Sequence, residues 1–171
     1  MVPAHHLTEI ALVGCPDPNP VCTRFFNPEP NSTKGNFGAN YIGELANSIT
    51  QWLRQIPEHE PIGVLFSGGI DSGAVFLTLY NIMKTNGMNL ARLKAFTLSV
   101  NGEGEDVRQA HEFLSSLDLE VFHEVITTPE SWVNLQEAVD TIEDYKPLDI
   151  QSGAMTLALC RGIREQYPDF T

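Results

Sequence analysis

The sequence predicts an α/β protein in which helices cover both faces of a parallel sheet, and three observations lead there. Ile62 to Phe66 is a short, largely apolar run set between Pro61 and the glycine pair Gly68-Gly69, the pattern of a strand buried on both sides. From residue 62 onward, strand-length runs alternate with stretches whose apolar residues recur at helical spacing. Such alternation implies right-handed crossovers and a three-layer, Rossmann-like arrangement.

Residues 14–38 place Pro16, Pro18, Pro20, Pro28 and Pro30 among Asn, Gly and Ser. That composition discourages regular structure, so residues 1–38 are expected to form a proline-rich lead-in. From Asn40 to Pro57, Ile42, Leu45, Ile49, Trp52, Leu53 and Ile56 mark an amphipathic helix, with Trp52 expected in the core. After the glycine turn, Val75, Leu79, Ile82 and Met83 give a second helix, which Asn86-Gly87 should close with a left-handed cap. Leu93 to Val100 reads as a second strand. Val107, Ala110, Leu114 and Leu117 make the stripe of the next helix, and Leu119 to Ile126 reads as a third strand. Thr128 and Pro129 are expected as N-cap and first position of a helix burying Trp132, Leu135, Val139 and Ile142. A last helix is expected from about Asp149 to Tyr167, ending at Pro168.

A chain of 171 residues with 42% hydrophobic content can bury one sizeable core. Ten basic and 22 acidic residues leave a formal charge of -12, which repels a phosphate backbone and makes nucleic acid a poor partner. The apolar runs are strand-sized, far short of the roughly 20 residues of a bilayer span, and no signal peptide is visible at the start. A cytoplasmic location is the expectation. Cys15, Cys22 and Cys160 form no CxxC pair and are read as structural thiols. His5, His6, His59, His111 and His123 are scattered, with no spacing that would bring two rings onto one metal.

The chemistry is carried by Ser67-Gly68-Gly69-Ile70-Asp71-Ser72. A loop leaving the carboxyl end of a buried strand and entering a helix offers unpaired N–H groups, and the helix dipole adds positive character there. Gly68 and Gly69 permit close backbone approach, while Ser67 and Ser72 supply hydroxyls for phosphate oxygens. Asp71 belongs beside a polyphosphate only if Mg²⁺ bridges the two charges, and it is read as the metal ligand. A tight turn, with Asp71 merely complementing the dipole, is the plainer alternative. The acidic groups Glu103, Glu105 and Asp106, and Glu143, Asp144 and Asp149, are read first as helix-start residues and second as metal or amine contacts.

Ser67 to Ser72 resembles the SGGxDS loop of the N-type ATP pyrophosphatases, whose fold is that of the adenine nucleotide alpha hydrolases. Within that superfamily, Pro61 to Phe66, Phe96 to Val100 and Glu143 to Ile150 look like segments of the asparagine synthetase family, and the likeness covers roughly residues 40–167. It implies that residues 39–171 are the N-terminal part of an ATP-binding synthetase domain. Ser67, Gly68, Gly69, Asp71 and Ser72 would hold the β and γ phosphates with Mg²⁺, and Leu65 and Val100 would frame the adenosine. The implied reaction is adenylation of an aspartate-like carboxylate by ATP, with pyrophosphate leaving, then displacement of AMP by ammonia or another amine. Another SGGxDS adenylating enzyme of GMP or NAD synthetase type, or a subunit that only binds nucleotide, remains open.

Three departures from the family pattern stand out. Gln151-Ser152-Gly153 occupies a stretch where the family often carries arginine. A second phosphate loop and the catalytic residues of the family are expected beyond Pro168. Residue 2 is Val, so no N-terminal cysteine nucleophile stands there and a glutaminase in this chain is not expected. The chain is thus expected to be a fragment or one half of a split enzyme, with strand Ile62–Phe66 open on one side and ready for a complementing chain or a second copy.

Overall fold

The structure is a computed structural model that describes residues 6–9, 21–24, 36–102 and 104–168. Backbone contacts divide the chain into two units, Met1–Asn40 and Tyr41–Thr171. In the first, β1 (His6–Glu9) pairs antiparallel with β2 (Val21–Arg24). This corrects the expectation of an irregular lead-in: Val21, Cys22 and Thr23 are β-favouring residues, and their ladder to β1 prevails over the flanking prolines. Of the rest of the lead-in, residues 36–38 lead into the first helix, and the others lie outside the described residues.

The long helix α1 runs Phe37–Leu53, starting three residues before Asn40 and ending ahead of Ile56. Its apolar stripe is used only at its C-terminal end, where Leu53 is buried and Ile49 packs against the core. Trp52 is 46% exposed, against the core placement expected from spacing. It borders a surface hollow shared with Ile49, Val64, Val75 and Leu79.

The second unit is organised on β3 (Ile62–Leu65), β4 (Leu93–Val100) and β5 (His123–Thr128), all parallel, in the order β3-β4-β5. Among the described residues β3 is an edge strand. Alternation along β4 divides the core. Leu93 and Ala95 join Ile62, Val64 and Phe66 under α2 (Ile70–Thr85) and α3 (Glu105–Ser115), with Phe76, Met83, Ala110 and Leu114 fully buried there. Phe96 faces the other way, toward Ile126 and the α5 (Pro147–Gln166) residues Leu159 and Ile163. Successive side chains point to opposite faces of a strand, so one strand serves two helical layers and the expected three-layer architecture results.

Local chemistry sets the ends of these elements. Asn86 caps α2 and Gly87 takes φ +66, as expected of a left-handed closure. The third strand is displaced toward the C-terminus from its expected span because Glu120–Phe122 winds into a 3-10 turn. Strand β5 therefore runs through Thr128, and Pro129 starts no α-helix. A further 3-10 turn, Glu130–Trp132, follows. Helix α4 (Leu135–Ile142) is capped by Asn134, whose Oδ1 accepts the Glu137 N–H at 3.1 Å. Trp132 is half-buried beneath the Arg161 guanidinium, 5.6 Å from its ring centroid. Cys22 and Cys160 are exposed free thiols, so neither is packed as the structural reading expected; Cys15 lies outside the described residues. Buried Arg92 ties the turn before β3, its Nη1 donating to the Pro57 and Glu58 carbonyls.

Two contacts fix the α5 side of the sheet. A Cβ on Gly162 would stand 2.3 Å from Ile126 Cγ2 and 3.0 Å from Thr128 Cγ2, so α5 reaches β5 only because the side chain is absent. Beside it, the Glu124 carboxylate accepts from Lys94 Nζ and, at 2.6 Å, from the Tyr167 hydroxyl. Burial works against the Glu124 charge, but these two donors outweigh it and hold the carboxyl below its ordinary 4.5. The same bond pushes the Tyr167 phenol up to about 12. Among the described residues no helix is long and apolar enough to cross a membrane.

Overpacking a tight contact costs about 1–3 kcal/mol. Gly162→Ala should therefore lower the unfolding free energy by that amount in denaturant titration, and an unchanged midpoint would refute the close approach. A carboxyl with a depressed folded pKa contributes stability that is present above its unfolded value and disappears as pH falls through the folded value. Stability should thus decline below about pH 4.5, and Glu124→Gln should be less stable at neutral pH with a flatter acid limb. Parallel acid limbs for the two proteins would remove Glu124 from that role.

Candidate functional site

The loop at the end of β3 takes its shape from one residue. Gly68 has φ +78, in the region that L side chains avoid. A Cβ there would lie 2.5 Å from Ala110 N and 2.7 Å from Gln109 C, inside the backbone of α3. The bend is thus pressed against a neighbouring helix. Gly73 extends the contact one turn into α2, where a Cβ would meet the Phe113 ring at 2.8 Å. Phe113 in turn makes an edge contact with Phe66, at 5.6 Å between ring centroids.

Gly69 is the N-cap of α2, with no side chain bonded to the first-turn amides. The hydroxyls around it bond locally. Ser67 Oγ accepts the Gly69 N–H at 3.3 Å and lies 3.3 Å from Ser72 Oγ, while Ser72 Oγ donates to the Gly69 carbonyl at 3.1 Å. The result is a compact turn at the start of a 16-residue helix, with amide hydrogens and hydroxyls where the dipole is positive. Asp71 is exposed on the first turn of α2.

Ser67 also lines an open cavity of about 420 Å³. One wall is Leu65 and Phe66 at the end of β3 with Leu98 of β4; the opposite wall is Leu148, Gln151, Ser152, Met155, Thr156 and Leu159 of α5; Asp106 of α3 closes one side. Leu65, which strand burial alone would place in the core, is 43% exposed because it faces this cavity. Among the described residues that line it there is no Lys or Arg, and the side-chain donors there are the Gln151 amide and the Ser67, Ser152 and Thr156 hydroxyls.

The structure gathers Leu65 and Ser67 at the cavity, and Gly68, Gly69, Asp71 and Ser72 follow directly on the loop. Val100 stands two residues beyond Leu98, half-buried and outside the lining. Leu98 was legible as a strand residue but not as a cavity residue, because alternation fixes a face and not a position along it. The α5 wall was signalled only by Gln151-Ser152, in the stretch where a family arginine is often found. Of the acidic groups, Asp106 reaches the cavity and Glu105 pairs with Arg108 at 3.2 Å; Glu103 lies outside the described residues. Glu143 closes α4 with φ +52 instead of starting a helix. Asp144 accepts the Lys146 N–H at 3.0 Å and the Tyr145 N–H at 2.6 Å, and these bonds with the Lys146 ammonium hold its carboxyl below the usual range. Asp149 shares the Lys146 ammonium at 3.3 Å.

Among the described residues no three His, Cys, Asp or Glu side chains come together as a metal cluster. The donor set at the loop is one exposed carboxylate beside a helix start, where the dipole favours negative charge. That fits a Mg²⁺ carried in on a polyphosphate, since this ion keeps several waters and is held by one or two carboxylates plus phosphate oxygens.

A family model described as asparagine synthase matches residues 45–167, most of the chain and all of the parallel sheet. No curated protein matches the chain significantly.

The two loop glycines differ in what they tolerate. Gly69 has φ -72, and a Cβ there would meet only Ser67 Oγ at 3.3 Å. Gly69→Ala should change thermal stability little, whereas Gly68→Ala should cost roughly 1–3 kcal/mol or more, since φ and space both oppose it. Equal melting temperatures for the two variants would contradict the wedged bend.

Proposed function

Because the chain belongs to the asparagine synthase family, an ATP-using amidation family, we propose that the Ser67–Ser72 loop binds the phosphates of Mg²⁺·ATP for adenylation of a carboxylate. The observation that carries this reading is the Gly68 bend, locked against α3, which opens the first turn of α2 next to a cavity with apolar walls. A polyphosphate suits the helix start, and an adenosine suits Leu65, Leu98, Met155 and Leu159. Asp71, with Ser67 or Ser72 nearby, would hold Mg²⁺ against the phosphates, where the ion would neutralise charge on the departing β and γ groups.

In the reaction proposed, an oxygen of an aspartate-like carboxylate attacks the α phosphorus and the bond to the β-phosphate oxygen breaks, releasing pyrophosphate. Ammonia or another amine then attacks the activated carbonyl carbon, AMP departs with the bonding electrons, and the nitrogen loses a proton. This chain's share is phosphate binding by the loop and orientation of the nucleoside by the apolar walls. Nucleic acid and membrane have no part in it. The earlier division into a lead-in (residues 1–38) and an ATP-binding domain (39–171) is retained within this proposal, as is a cytoplasmic setting.

The lack of Lys or Arg among the described residues that line the cavity favours a second reading, in which this chain binds nucleotide but completes no turnover alone. Asp106 adds negative charge there, so no lining side chain compensates the charge developing on a leaving pyrophosphate, and that task would fall to Mg²⁺ alone. An adenylating enzyme of GMP or NAD synthetase type is the other alternative, and only the acceptor that triggers pyrophosphate release separates it.

Incubation with ATP, Mg²⁺, aspartate and ammonia should release pyrophosphate if the first reading holds; measurable ATP affinity without pyrophosphate would select the second. Asp71→Asn should weaken Mg²⁺·ATP binding by roughly tenfold in titration calorimetry, about 1.4 kcal/mol. With Mg²⁺ chelated, the substitution should cause no loss, since the carboxylate then only repels phosphate. Unchanged affinity of Asp71→Asn with Mg²⁺ present would remove Asp71 from the site.

A further inference from the structure

A polar thread crosses the α2/α3 side of the sheet, from β5 through β4 to the root of the loop. Thr97, 1% exposed in the middle of β4, donates its hydroxyl hydrogen to the Phe66 carbonyl at 2.6 Å. The same Oγ1 lies 2.9 Å from Nε2 of His123, the first residue of β5. A threonine hydroxyl has one hydrogen, and a carbonyl oxygen can only accept it. That hydrogen is therefore committed to Phe66, and His123 must donate from Nε2. The arrangement selects the imidazole that carries its proton on Nε2.

The environment of the ring agrees with a neutral imidazole. Burial, and then the neighbouring His111 of α3, press its pKa below the ordinary value, while Glu124 opposes them more weakly. The two imidazoles stack at 6.5 Å between centroids. Glu124, the adjacent residue on β5, is already engaged by Lys94 and Tyr167.

Phe66 is the residue from which the loop departs. Its N–H donates to the Phe96 carbonyl at 2.8 Å, so β4 holds this residue at both its N–H and its C=O. The C=O of Phe66 and the N–H of Ser67 belong to one planar peptide unit. Fixing the carbonyl fixes the direction of the Ser67 N–H and the exit of the chain toward Gly68. Were that peptide to turn, a carbonyl dipole would swing toward the place where an anion is expected.

We propose that Thr97 and His123 are positioning residues for the phosphate loop: His123 donates to Thr97, Thr97 donates to the Phe66 carbonyl, and the oriented peptide sets the loop in its anion-binding conformation. Only the consequence for ATP rests on the function proposed above. The orientation of the loop is independent of it.

The test uses the full chain and four variants. Without nucleotide, side-chain ¹⁵N shifts of wild-type His123 should report a proton on Nε2. Thr97→Val removes the hydroxyl at nearly constant shape. It should free the tautomer, shift the Ser67, Gly68 and Gly69 amides, and weaken Mg²⁺·ATP binding by about five- to tenfold, with Thr97→Ser restoring all three. A wild-type proton on Nδ1, or a folded Thr97→Val with unmoved loop amides and affinity within twofold of wild type, would overturn the proposal. Should Thr97→Val fail to fold, His123→Leu and His123→Gln take its place, because a Gln amide can donate where Nε2 does. Loop shifts in the Leu variant and recovery in the Gln variant support the thread, and identical loops in both reject it. If wild type binds no ATP while Thr97→Val still shifts the loop amides, the nucleotide reading falls and the positioning role stands.

Discussion

The structure depends on the place where Gly68 rests directly on the backbone of α3, with no side chain between. The contact is steric before it is chemical. A left-handed bend turns the chain out of β3 sharply enough to start α2 at once, and the wall of α3 keeps that bend from relaxing. The first turn of α2 therefore leaves the sheet at its carboxyl edge, the position where open α/β sheets receive their ligands. Ser67, Asp71 and Ser72 gain meaning only from that placement.

Glycine is used a second time for approach rather than for conformation. Gly73 admits the Phe113 ring against α2, and Gly162 lets α5 lie on Ile126 and Thr128. These contacts draw the layers together on opposite faces of one short sheet. The cavity lies between the loop at the end of β3 and the α5 wall, so its width follows from how closely α5 can lie on the sheet. A methyl group at residue 162 would act on the cavity from outside its lining.

Much of this was legible because hydrophobic period and turn chemistry agreed. Leu93–Val100 is continuous, β-rich and apolar, and its boundaries matched; Asn86-Gly87 announced the left-handed end of α2. The loop was the clearest signal, since SGG between a buried strand and an apolar helix has few uses. Misreadings arose where a local rule met a tertiary competitor. Thr128-Pro129 satisfied the cap pattern, yet Thr128 pairs with Val100 in the sheet and Asn134 does the capping. Trp52 had core spacing on a helix that buries only its last turn. Val21–Arg24 sat among prolines but found a partner strand in His6–Glu9, its paired residues 12 to 18 positions apart. Leu98 and the α5 wall were beyond reach, because a cavity is a relation between elements that no single window of sequence contains.

The edge position of β3 carries its own consequence. Its outer N–H and C=O groups face no strand among the described residues, while its last residues launch the loop. Strand addition along Ile62–Leu65 and occupancy of the loop would then act on one short piece of backbone. By thermodynamic reciprocity, a neighbour that stiffens the strand alters what the loop can hold, and whatever fills the loop alters the strand's readiness to accept a neighbour by the same factor. Assembly and ligand capture would be two readouts of a single equilibrium, and protein concentration would enter the site's apparent affinity.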